Sequence, residues 1–92
     1  MEKLKFSYTI DSVYQIIGRG IVVMGQIEQG EINQGDTVEL TNNNTSIKTK
    51  CLRLEKFRKY VTNAKQGEWV AIVLSNVSRS DVCSGMKLII KE

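Results

Sequence analysis

Gly20 and Gly25 in the segment GIVVMGQI stand at the spacing of a glycine loop that wraps nucleotide phosphates. Such a loop ends in Lys and then Ser or Thr, the lysine reaching the β- and γ-phosphates and the hydroxyl holding magnesium. Gln26 and Ile27 occupy those places here. Gly18 and Gly20 open a dinucleotide-type GxGxxG. Val23 replaces its third glycine, and a β-branched run follows where a helix should begin. A kinase-type glycine loop needs a chain far longer than 92 residues. All three motifs fail on residues, so no nucleotide is expected to bind.

Other chemistry is equally thin. The chain has no histidine, which removes the commonest general base and every histidine-based triad. Cys51 and Cys83 lie far apart without CxxC spacing, and two cysteines without histidine cannot complete four zinc ligands. A reduced, buried cysteine pair is expected, with no metal and no cofactor. Asp11, Asp36, Glu39 and Asp81, and the serines at 75, 78, 80 and 84, fall at turns and strand edges where solvation explains them. No nucleophile–base pairing is visible, so the protein is read as non-catalytic.

Charge is more informative. Thirteen Lys and Arg against ten Asp and Glu give +3, compatible with an RNA partner but short of a strong nucleic-acid signature. From residue 48 to 65 the bases are Lys48, Lys50, Arg53, Lys56, Arg58, Lys59 and Lys65, against Glu55 as the one acid. Such a run is either a solvated face or an anion-facing patch.

The elements that must position these residues read as β-structure in one domain, residues 1–92. A chain of this length buries roughly 60–65% of its unfolded surface, enough for one core. No apolar run approaches the ~18 residues of a membrane span. MEKLKFSYTI also lacks the apolar stretch of a signal peptide, so a cytoplasmic protein is expected, with no membrane contact. FSYTIDSVYQII, GIVVMGQIE, DTVEL, EWVAIVL and MKLII are short apolar or β-branched bursts divided by glycine and asparagine turns. A turn at Gln29-Gly30 closes the second burst, and TNNNTS is a polar loop. Gly25 inside an apolar strand marks a close approach of backbones, and Gly30 and Gly35 mark positive φ.

One stretch is ambiguous. In LRLEKFRKYVTNA, Leu54, Phe57, Val61 and Ala64 fall at helical spacing. The competing reading is a long strand from Ile47, with Lys48 and Lys50 on one face and Ile47, Thr49 and Cys51 on the other. Leu52 and Leu54 then require a bulge near Cys51–Leu52.

DSVYQIIGRGIVVMGQIEQGEINQGDTVEL resembles the opening of the second domain of elongation factor Tu and related translational GTPases, including their G-R-G-x-V-V-x-G. LEKFRK is similar to the family's V-E-M-F-R-K. AKQGEWVAIVL and VSRSDVCSGMKLI match later segments in order, so the likeness runs from Tyr8 to Lys91. The resemblance implies an all-β, six-stranded antiparallel barrel of the translation-protein type, with a long strand through Glu55–Lys59 in place of the helix. In that family the barrel packs beside a GTPase domain and helps hold the aminoacylated 3′ end of transfer RNA. It implies Glu55 and Arg58 at the terminal nucleotide; an RNA-binding module is expected to use Arg53, Lys56 and Lys59 near the strand end beside them. The neighbouring pocket for the esterified amino acid corresponds to Tyr14, Met24 and Trp69, in place of Phe, Thr and Asn. Met24 and Trp69 thus lack the hydroxyl and the amide that would fix the ester. Arg19 and the glycines read as fold determinants.

The chain is either an excised fragment or a free-standing barrel, and Met1 followed by EKLKF fits a natural start. Two functions follow. One is a module binding the transfer-RNA 3′ end or another ribonucleoprotein element. The other is a barrel docking on a GTPase or other protein, with Tyr14 and Trp69 as exposed anchors. In the second case Trp69 must not be core filling.

Overall fold

The computed structural model describes residues 3–42 and 44–92. Two long strands, β1 (Leu4–Ile16) and β2 (Gly20–Asn33), pair along almost their whole length around a turn at Ile17–Arg19. They are followed by β3 (Thr37–Thr41), β4 (Ser46–Lys56), the short β5 (Lys59–Val61) and β6 (Asn63–Lys65), then β7 (Trp69–Leu74) and β8 (Lys87–Lys91). The ring runs β1–β8–β3–β4–β7–β2 and back to β1, antiparallel throughout, so six strands close a barrel. Outside the ring β5 extends β4 and β6 extends β2. Closure gives each of the six ring strands a neighbour on both sides over part of its length. Among the described residues no helix is long and apolar enough to cross a membrane.

Alternation fills the barrel. Phe6, Tyr8, Ile10, Val23, Ile27, Leu40, Leu54, Ile72 and Leu88 point inward and are excluded from water. Each large side chain of this kind contributes about 2 kcal/mol through burial. Tyr8 can sit there because its hydroxyl donates to the Val70 carbonyl at 2.8 Å, and burial pushes its phenol far above its usual range. On β7 the outward residues Ala71 and Val73 are buried as well. With Val22 they form a second, smaller apolar cluster on the outside of the wall.

Gly25 is required by proximity: a Cβ there would lie 2.1 Å from the Thr9 carbonyl oxygen. Gly30 has φ of 74°, and a Cβ would meet the Lys5 carbonyl oxygen at 1.8 Å. Its positive φ is as expected, but it closes no turn. β2 continues through it to Asn33, bending so that its far end leaves β7 and pairs with β6.

The helical spacing of residues 54–64 is overturned. β4 runs to Lys56, turns at Phe57–Arg58 and returns as β5, with Lys56 opposite Lys59. The long strand therefore ends inside the Glu55–Lys59 motif, which is a hairpin. The bulge expected near Cys51–Leu52 is present as a register shift between Cys51 and Arg53. It turns Leu54 inward while Leu52 and Arg53 face water. The cysteines do not form a buried pair: both are free, Cys51 is buried and Cys83 is exposed. Cys83 lies in the loop before β8, where no strand alternation carries it inward.

Candidate functional site

The outer wall across β1, β2, β7 and β4 carries most of the residues singled out by sequence. Cross-strand register sets two rungs on it. Tyr14, Val22, Val73 and Arg53 form one, and Ser12, Met24, Ala71, Glu55 and Tyr60 form the next. Side chains opposite one another in a ladder share a face, so Tyr14, Met24, Arg53 and Glu55 are neighbours on one surface. Trp69 stands opposite Gln26, one further step along.

The floor of this wall is the Val22–Ala71–Val73 cluster, and its rim is aromatic. Tyr14 is 52% exposed and Trp69 54% exposed, so Trp69 does not fill the core. A depression of about 390 Å³ beside Trp69 is lined also by Asp11, Gln26 and Glu28. Burial raises the Glu28 carboxyl, but hydrogen bonds from Thr9, Lys87 and Ser7 and the Lys87 charge outweigh it, leaving a net lowered pKa.

The five candidate RNA-binding residues separate into two kinds. Glu55 and Lys56 are engaged within the chain. Arg19 Nη1 donates to Glu55 Oε2 at 3.0 Å, and Lys56 is paired with Glu68, the residue before Trp69. That pairing, with the Lys65 amide, holds the Glu68 carboxyl below its usual range. Arg53, Arg58 and Lys59 make no ion pair among the described residues. Arg53 lies with its guanidinium carbon 4.9 Å from the Tyr60 ring centre and donates to the Tyr60 hydroxyl at 3.1 Å. Arg19 lies 5.9 Å from the same ring. Tyr60 is thus flanked by two guanidinium groups, each with donors left for a ligand.

Arg58 stands apart at the tip of the β4–β5 hairpin beside Phe57, which is 93% exposed. Both have left-handed backbones, with φ of 64° and 50°. A two-residue loop with two positive φ values favours Asn-Gly, so Phe-Arg here is strained.

Sequence reasoning missed Phe57, Tyr60 and the position of Arg19. Phe57 falls at helical spacing with Leu54, Val61 and Ala64, and no glycine or asparagine marks the turn that exposes it. Arg19 read as a fold determinant because it lies between two turn glycines, whereas its side chain reaches Glu55 on β4. Only the pairing of β4 with β7 and of β7 with β2, which spacing cannot show, brings the two together.

The chain matches the family model described as elongation factor Tu domain 2 over residues 20–89, which takes in β2 to β7 and the first residues of β8. That domain type is non-catalytic, a barrel module of translation factors. A closed six-stranded barrel with this match over most of its length places the chain in the elongation factor Tu domain 2 family.

Proposed function

We propose that this barrel works in the cytoplasm as a non-catalytic RNA-binding module, taking an unpaired strand such as the transfer-RNA 3′ end on the wall around the β4–β5 hairpin. The observation that supports it most is the hairpin tip, where exposed Phe57 stands beside unpaired Arg58 on a strained turn. Single-stranded bases stack on exposed aromatics, and arginine forks bind phosphate or ribose. Phe57 and the Arg-flanked Tyr60 supply stacking faces, while Arg53, Arg58 and Lys59 supply donors. Arg19 takes only Oε2 of Glu55, which leaves Oε1 to accept a ribose hydroxyl. Lys56 is committed to Glu68 and acts by holding the hairpin base. Tyr14, Met24 and Trp69 offer shape without the polar groups that would fix an ester, so charged and uncharged transfer RNA bind alike.

Titration with uncharged transfer RNA across salt tests this. Binding is expected at low ionic strength, with log K falling linearly with log salt by about 0.7 per neutralised phosphate. Arg58→Ala is expected to weaken it about tenfold, the loss of one charge-assisted contact. No binding at low salt defeats the reading.

The apolar wall favours a second reading. Tyr14 and Trp69 rim a buried apolar cluster, and Ile17 at the β1–β2 turn is fully exposed, as at a surface that docks on a GTPase or another protein. A pull-down recovering a protein and no nucleic acid would favour it.

A further inference from the structure

The bulge in β4 has a second consequence besides turning Leu54 inward. Outward residues before it are Lys48 and Lys50; the register shift between Cys51 and Arg53 then puts Arg53, not Leu54, on the outer face after it. Three cations therefore follow one another along the outside of a single strand. Same-face neighbours on a regular strand are about 7 Å apart. That step is roughly twice the rise of about 3.4 Å per nucleotide in a stacked strand, a spacing an extended strand can follow.

The cations are available. Lys48 and Lys50 make no ion pair among the described residues. Glu39 stands opposite Lys48 in the ladder, but its Oε2 is held by Lys91 at 3.6 Å and by the Ser46 hydroxyl at 3.1 Å. Lys50 faces the uncharged Thr37. Beside both lysines runs a groove of about 370 Å³, lined also by Thr37, Thr49, Ser75 and Asn76. Thr49 donates to the Ser75 carbonyl and the Ser75 hydroxyl accepts from the Lys50 amide, and these contacts shape the groove.

We propose that this row is a second RNA-backbone track: Lys48, Lys50 and Arg53 neutralise successive phosphates of the strand whose end sits at the β4–β5 hairpin. The proposal rests on the RNA reading above and adds the direction in which the bound strand leaves the tip.

The test compares single-stranded RNA of about four and about ten nucleotides, the range of strand-binding sites of this size. Each is titrated across salt against the unaltered chain, Lys48→Ala/Lys50→Ala and Arg58→Ala. The unaltered chain is expected to bind the longer strand more tightly. The double lysine variant is expected to lose about tenfold on the longer strand alone and about 1.4 from its salt slope, two phosphates' worth. Arg58→Ala weakens both lengths. Both lysines are exposed, and an unchanged circular-dichroism melt confirms the variant's fold. If the unaltered chain binds the short strand but the lysine pair changes neither slope nor long-strand affinity, the track is overturned and the hairpin site stands. Failure of the unaltered chain to bind either length overturns both. An equal lysine-dependent loss with an acidic peptide of the same charge assigns the row to a protein partner and overturns the RNA track.

Discussion

Burial takes the Cys51 side chain out of water and pushes its thiol up to about 12, with the Asp36 carboxylate adding to the cost of a thiolate there. Cys83 carries the same group into solvent from the loop before β8. Alkylation depends on thiolate and on access, so the two should separate cleanly. Iodoacetamide at pH 8 is expected to modify Cys83 in the folded protein and Cys51 only after denaturant is added, as read by peptide mass. Early labelling of Cys51 would mean that the β4–β7 seam opens in the native state. The candidate site was legible to the same limited degree as the thiols. Glu55 and Arg58 could be named from a motif, because a motif preserves order along the chain. Their partners could not be, since Arg19 reaches Glu55 across the barrel wall and Glu68 reaches Lys56 from the far side of the hairpin.

At the scale of the element, the β4–β5 hairpin shows why helical spacing misleads here. Leu54 and Val61 are seven apart, two turns of a helix, yet they are also direct partners across a turn centred on Phe57–Arg58. A two-residue hairpin and a helix can therefore place the same apolar residues together. The usual arbiter is turn chemistry, and Phe-Arg withholds it. The β1–β2 hairpin was easier because Gly18 lies in its turn and Gly20 follows it. Left-handed Phe and Arg cost about 1 kcal/mol or more each. Phe57→Asn with Arg58→Gly is expected to raise stability by about 1 kcal/mol in urea unfolding while RNA binding falls. A less stable variant would show that Phe57 makes contacts its exposure denies. Gly25 gives the opposite case. A methyl group there would overlap the Thr9 carbonyl oxygen at 2.1 Å and press the buried Tyr8 ring at 3.1 Å. Gly25→Ala is expected to cost about 3 kcal/mol or more by the same measurement, because neither backbone can move without opening the β1–β2 ladder.

For the whole molecule, pH response follows from which groups are tied and which are missing. With no histidine, the side chains supply no ordinary titration between pH 5 and 8, so stability should be flat there. Three carboxyls are held below their ordinary values, each by a contact between separate parts of the chain or at a turn. Glu28 joins β2 to β8 through Lys87, against an upward push from burial. Glu68 joins the start of β7 to the hairpin base through Lys56. Asp81 accepts the Ser78 amide and hydroxyl at the 3-10 turn Arg79–Asp81. A carboxyl whose folded value is depressed stabilises the fold above its ordinary value, and that contribution disappears as pH falls through the lowered one. Ordinary values of 4.5 for the glutamates and 3.8 for the aspartate put the onset below about pH 4.5. Protonation also adds positive charge to a chain that starts at +3, so repulsion works in the same direction. The melting temperature is expected to hold level from pH 8 to about 5 and to fall below 4.5. Glu68→Gln should start lower at pH 7 and lose less on acidification, since its proton-linked contact is already gone. A step in stability between pH 6 and 8 would contradict the assignment, because none of these three tied carboxyls titrates there.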